Sequence, residues 1–257
     1  APGSVDGPDA RLGDVVSGTG RAAGESELVV EAVVTGLDGP SALARLPDGR
    51  LLIAERGGVI RVADGGVLAA EPAALLPDAD PGVEAVVSLA PAPDFEATSH
   101  VYVGYGAVDA LGARTGRVVR FREAGGVLGE LAVIVDGLPA ALAAPWVAIG
   151  PDRRLYVAIS PGDDGESANA GAYEGKVLRL ALDGTTPADN PLGGSPVYSS
   201  GHTGRLAVAW EPGGGVPWVI EDDGAEAVLG RIEAGRPVVR AAGLRAAGSA
   251  SLAFYAA

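Results

Sequence analysis

The chain has 257 residues, 33 acidic against 19 basic side chains and a net charge of −14. It has no cysteine, which excludes disulfide frameworks, thiolate metal sites and cysteine nucleophiles. The acidity argues against a nucleic-acid partner, because phosphate binding needs a clustered positive surface.

Residues 1–26 are rich in Gly, Asp, Ser and Ala and read as a flexible tail or linker; residues 27–257 read as the folded domain. The opening Ala-Pro-Gly-Ser looks like a mature end left by cleavage behind a small residue, so an exported, periplasmic or extracellular protein is expected. No apolar run reaches the roughly 18 residues that a membrane-spanning helix requires. Methionine is absent and Lys176 is the only lysine, a bias ascribed to nucleotide composition.

From Glu27 onward a pattern returns. Ser41–Glu55 holds a short apolar run, a Pro-Asp-Gly turn and a second run, and Gly58–Val62 adds a third. Val87–Phe95, Val101–Tyr105 and Arg117–Phe121 form a second copy. Trp146–Asp152, Leu155–Ile159 and Lys176–Leu180 form a third, and Leu206–Gly213, Pro217–Ile220 and Leu229–Ile232 a fourth. A fifth opens at Ser251–Tyr255. The turn prolines fall at 47, 93, 151 and 212, so they lie 46, 58 and 61 residues apart. Proline presets the turn φ, Asp accepts from its own backbone and Gly takes positive φ.

Short strands at such a period are the signature of propeller blades. The expected fold is therefore an all-β propeller of five to six four-stranded antiparallel blades. Glu27–Val34 is expected to pair with a blade built from the C-terminal end, because an open ring exposes sheet edges. With only four complete repeats, the chain is expected to lack its C-terminal closing portion.

Chemistry-bearing residues are sparse. There are two histidines, His100 and His202, and both read as structural residues beside strands. A Ser-His-Asp hydrolase would have to use one of them, and no G-x-S-x-G elbow is present. Asp163-Asp164 and Glu221-Asp222-Asp223-Gly224 are acidic loops that could offer oxygen ligands to calcium, though neither has EF-hand spacing. Trp146, Trp210 and Trp218 read as packing between blades.

The wording of the repeats resembles the glucose/sorbosone dehydrogenase family. The closest wording lies in Gly175-Lys-Val-Leu-Arg-Leu-Ala-Leu-Asp-Gly-Thr-Thr-Pro-Ala-Asp-Asn-Pro191. Thr35–Pro40 with Leu46–Arg56, Pro93–Phe95 with Val101–Tyr105, and Val197–His202 are similar to further family segments. The resemblance implies a six-bladed propeller that binds pyrroloquinoline quinone (PQQ) and calcium and oxidises the C1 hydroxyl of aldoses.

The same comparison marks departures. The family's base is a histidine just before the strand matched by Val147–Asp152, and Leu142 holds that position here. Leucine cannot take a proton. The arginine that the family offers to the quinone follows a Gly-His pair; here Thr203 follows His202, and Arg205 stands two residues on. A family segment with two glycines reads Ala85-Val-Val-Ser88. By resemblance Glu221 and Tyr198 lie nearest the calcium site, with Asp163 and Asp164 as further candidates. His202, Thr203 and Arg205 are the candidates for cofactor contact. The expected function is a catalytically degenerate member, acting outside the cytoplasm as a binding or structural subunit of a larger protein assembly, with no cofactor. The alternative is an active PQQ- and calcium-dependent aldose dehydrogenase.

Overall fold

The computed structural model describes residues 31–79, 86–108, 110–140, 144–161, 173–222, 226–237 and 239–245. These form four antiparallel sheets in chain order. The first holds β1 (Ala42–Arg45), β2 (Leu51–Glu55), β3 (Val59–Asp64) and β4 (Val67–Leu68), with β5 (Ala74–Leu75) also on β3. The second holds β6 (Val86–Pro91), β7 (His100–Val108), β8 (Arg114–Ala124) and β9 (Val127–Leu138). The third holds β10 (Trp146–Ile149), β11 (Leu155–Ile159), β12 (Lys176–Leu180) and β13 (Val197–Ser200). The fourth holds β14 (Arg205–Trp210), β15 (Pro217–Asp222), β16 (Glu226–Arg231) and β17 (Val239–Arg245).

Each sheet is an up-and-down meander, and the first strand of each lies against the first strand of the next. Apolar side chains on facing strands fill three layers between the sheets. Leu52, Ile60, Val103 and Tyr105 fill the first; Tyr102, Val118, Val157 and Leu178 the second; Tyr156, Val177, Val208 and Val219 the third. This is propeller architecture, as expected, and the described residues form four of the five to six blades. Among the described residues no hydrophobic layer joins the fourth sheet to the first. The expected closing strand is not formed where it can be seen. Residues 31–34 are not strand, and the Val33 carbonyl lies over Gly66 of the first sheet. Residues 27–30 and the expected fifth opening at Ser251–Tyr255 lie outside the described residues. The seven residues of β17 complete the fourth blade instead.

The turns form as their chemistry dictates. Leu46 N donates to Arg50 O at 2.8 Å, Asp48 Oδ1 accepts from Arg50 N at 3.1 Å, and Gly49 has φ +94°. In the third blade Asp152 Oδ1 likewise accepts from Arg154 N at 3.2 Å. There Arg153 takes the left-handed position at φ +60°.

Two features tie neighbouring blades together. Pro145, which leads into β10, sits in a trough between Gly104 of β7 and Gly116 of β8. A Cβ at Gly104 would meet the Pro145 carbonyl oxygen, and one at Gly116 would meet the proline ring. Arg50 of the first blade reaches Glu123 of the second through two hydrogen bonds, 2.7 and 2.9 Å. Its guanidinium holds the Glu123 carboxyl below the usual carboxylate range, and does the same to Asp48.

Two outcomes are expected. Gly104→Ala forces the blades apart and should lower the unfolding free energy by about 1–3 kcal/mol in denaturant titrations. The depressed Glu123 and Asp48 contribute stability that is complete above their unfolded-state values near 4 and is lost as pH falls through their folded values. The melting temperature should therefore drop as pH is lowered below about 4.5, and less steeply in Glu123→Gln.

Candidate functional site

Strand direction alternates, so β10, β12, β14 and β16 begin, and β11, β13 and β15 end, at one end of the third and fourth blades. Most of the sequence candidates in the described residues gather there. Gly201 and Gly204 turn with φ +78° and +75°, so the chain passes from β13 to β14 in a tight link that carries His202 and Thr203. His202 N donates to Gly175 O at 3.1 Å, which pins that link to the start of β12.

Inside the link, four side chains form a chain of hydrogen bonds. His202 is fully buried. Its Nδ1 lies 2.8 Å from Glu221 Oε1 and its Nε2 lies 2.7 Å from Ser199 Oγ. With a carboxylate acceptor, Nδ1–H donates to Glu221, and Nε2 accepts from the Ser199 hydroxyl. Thr203 Oγ1 donates to Glu221 Oε2 at 3.1 Å. Both oxygens of a carboxylate that is 2% exposed are thus engaged within the protein. The order Ser199–His202–Glu221 is that of a nucleophile, base and orienting acid. Ser199 is only 1% exposed, however, and a nucleophile must reach its substrate.

The other candidates scatter. Arg205 is exposed at the start of β14, opposite Asp222. Tyr198 is the extra residue where β13 bulges against β12, between the pairs Val177–Ser199 and Leu178–Val197. It packs edge-on against Tyr156 at 5.3 Å, while Gly235 N donates to its carbonyl at 2.8 Å. The structure therefore brings His202, Thr203 and Glu221 together and leaves Tyr198 apart. Leu142, Ala85, Asp163 and Asp164 lie outside the described residues. No group of three or more His, Asp or Glu side chains arranged for a metal occurs among the described residues.

Two residues at this end escaped the sequence reading. Ser199 is one; the signal was its i, i+3 spacing from His202 across a glycine turn. Lys176 is the other. It begins β12, is 4% exposed, and its Nζ donates to Glu174 O at 3.4 Å. Burial holds its ammonium pKa below the usual lysine value. Ser88, in the family's glycine position, uses its hydroxyl to accept from Val147 N at 2.6 Å in the buried junction of the second and third blades. Trp210 packs edge-on against Tyr156 at 4.8 Å, and Trp218 lies under Arg231 at 5.5 Å.

The Pro187–Pro191 stretch folds at the opposite end, as a clasp around Arg179. Asp189 takes two bonds from the guanidinium at 3.0 Å each, Asp152 one at 2.8 Å and Asn190 one at 2.9 Å. Asn190 Nδ2 closes the loop onto Arg179 O and Ser195 O.

The family model for glucose/sorbosone dehydrogenases matches residues 37–228. The chain belongs to that family. Its blades superpose on a putative oxidoreductase (glucose dehydrogenase) of Thermus thermophilus with a TM-score of 0.69 at 35% identity, covering 82% of this chain and 66% of that one. The PQQ-bound aldose sugar dehydrogenase of Streptomyces coelicolor gives 0.70 at 29% identity, covering 81% and 64%. An uncharacterized protein of Synechocystis sp. is 29% identical over 231 residues, 77% of this chain and 55% of that protein. The chain thus spans less than two thirds of the length of each of these proteins.

Ser199→Ala strips His202 Nε2 of its partner and should cost about 1–3 kcal/mol in denaturant unfolding. Thr203→Val should cost less, because Thr203 is exposed.

Proposed function

We propose that this member of the glucose/sorbosone dehydrogenase family is catalytically degenerate and serves as a binding or structural subunit of a larger assembly outside the cytoplasm. The observation that carries the reading is Thr203. It stands where the family offers an arginine to the quinone, and its hydroxyl is turned inward onto Glu221 at 3.1 Å.

Three further features support it. Leu142 supplies no base where the family keeps a histidine. Ser88 puts a side chain, already bonded to Val147 N, where the family keeps bare backbone. Both Glu221 oxygens are taken by His202 and Thr203, so a calcium ion would have to displace those bonds. Among the described residues, Thr203 does not fit the quinone and the occupied Glu221 does not fit its cation. An extracytoplasmic location follows the sequence-based expectation; among the described residues no helix is long and apolar enough to cross a membrane.

The competing reading is an active PQQ- and calcium-dependent aldose dehydrogenase. Arg205 favours it, since it is exposed at the same end of the fourth blade and could replace the missing arginine.

Titration of the purified protein with PQQ and Ca²⁺, followed by a dye-reduction assay with glucose and other aldoses, separates the two. The degenerate reading expects no stoichiometric quinone binding and no sugar-dependent dye reduction above background. Loss of a general base alone costs about 10²–10⁴-fold. A Leu142→His, Thr203→Arg double variant should gain quinone binding. Tight binding with turnover in the unaltered chain overturns the proposal. Copurification of partner proteins from an extracytoplasmic fraction tests its second half.

A further inference from the structure

The second and third blades each lie between two neighbours, whereas among the described residues the first shares a side-chain layer with the second alone. Its Leu52, Ala54 and Ile60 enter that layer. Strand alternation therefore turns Leu51 and Ile53 to the other face, and Leu43, paired with Ile53, joins them there. Leu43 is 63% exposed.

Residues 31–40, which are not strand, lie over this outward face as a strap. Val34 and Leu37 of the strap line a cavity of about 390 Å³ together with Leu43, Leu51 and Ile53 of the sheet. The fit is loose, because side chains that face each other across such a space forfeit dispersion contacts. Between the blades, by contrast, Leu52 and Val103 are fully buried. Among the described residues, the hydrogen bonds that tie the strap to the blade fall at its C-terminal end. Asp38 N donates to Glu55 Oε1 at 2.9 Å, Arg56 N donates to Asp38 O at 3.2 Å, and Ser41 N donates to Ala54 O at 2.9 Å. Residues 31–37 are held by contact alone, so they can lift while the hinge at Asp38–Ser41 stays bonded.

Lifting the strap uncovers an apolar sheet face, and the charges around that face say what can cover it. Arg45, Arg56 and Arg61 stand there with Asp38 and Glu55. The whole chain carries −14, so two copies repel over most of their surfaces. Here both signs are present, and a two-fold contact sets the same patch against itself. We propose that residues 31–40 are a displaceable strap, and that the face beneath them is a self-association surface for a second copy of this chain. The strap lowers the apparent affinity by the fraction of chains in which it is lifted. This inference stands independently of whether the chain is catalytically degenerate.

Sedimentation velocity on the full chain tests it. Leu37→Asp loosens the strap and should strengthen dimerisation at least about tenfold over the unaltered chain. Adding Leu43→Asp to that variant should return it to monomer. Leu43 is already exposed, so its replacement has little effect on folding, and aggregation of a misfolded chain would persist in the double variant. Gly66→Ala gives a second route. A Cβ at Gly66 would lie 2.8 Å from the Val33 carbonyl oxygen, whereas one at Gly65 meets nothing within 4 Å. Both glycines have positive φ, so Gly65→Ala controls for backbone strain, and only Gly66→Ala should promote the dimer. A stable dimer of the unaltered chain, a monomeric Leu37→Asp variant, association that survives Leu43→Asp, or equal behaviour of the two alanine variants overturns the proposal.

Discussion

Every other feature depends on one steric condition: the first strands of successive blades must come close enough to share a side-chain layer. Between the second and third blades, Gly104 and Gly116 meet it by leaving the space that Pro145 fills. The proline fixes the direction from which the chain enters β10, and β10 in turn fixes the register of the third blade. Ser88 adds a buried hydrogen bond to Val147 beside that contact. The geometry at the candidate site is thus inherited from a contact between backbone and proline ring.

The sequence showed the blades and hid their assembly. Pro47-Asp48-Gly49 is legible because its hydrogen bonds are local, and the strands flanking it alternate plainly. Val239–Arg245 is less legible, because Val-Arg-Ala-Ala-Gly-Leu-Arg has only one β-branched residue; it is a strand because β16 offers it an edge. Val127–Leu138 likewise contains two glycines and two acids, and pairs by virtue of β8, through three register shifts. The repeats suggest a fifth blade opening at Ser251–Tyr255 and the resemblance a sixth, while the described residues supply four.

The candidate site was legible in its membership and illegible in its wiring. His202, Thr203 and Glu221 were each singled out, but their distances depend on β14 and β15 pairing Leu206 with Glu221. No spacing in the sequence predicts that pair. Tyr198 shows the opposite case. It is a neighbour of Ser199 in sequence, yet the bulge at that point of β13 leaves its ring packed on Tyr156, outside the hydrogen-bonded chain. The stretch around Asp189 and Asn190, which most resembles the family, organises Arg179 and lies far from that hydrogen-bonded chain. Recognition of the family therefore reports first on how the blade folds.

The buried position of Lys176 bears on how any assembly partner could be trapped. It is the only lysine side chain, and 4% exposure puts it beyond the reach of bulky reagents. Amine-directed cross-linkers would register almost nothing on this surface even with a partner in place. The 33 carboxylates of Asp and Glu offer the complementary chemistry, so carbodiimide coupling to a partner's amines is the labelling strategy this surface favours.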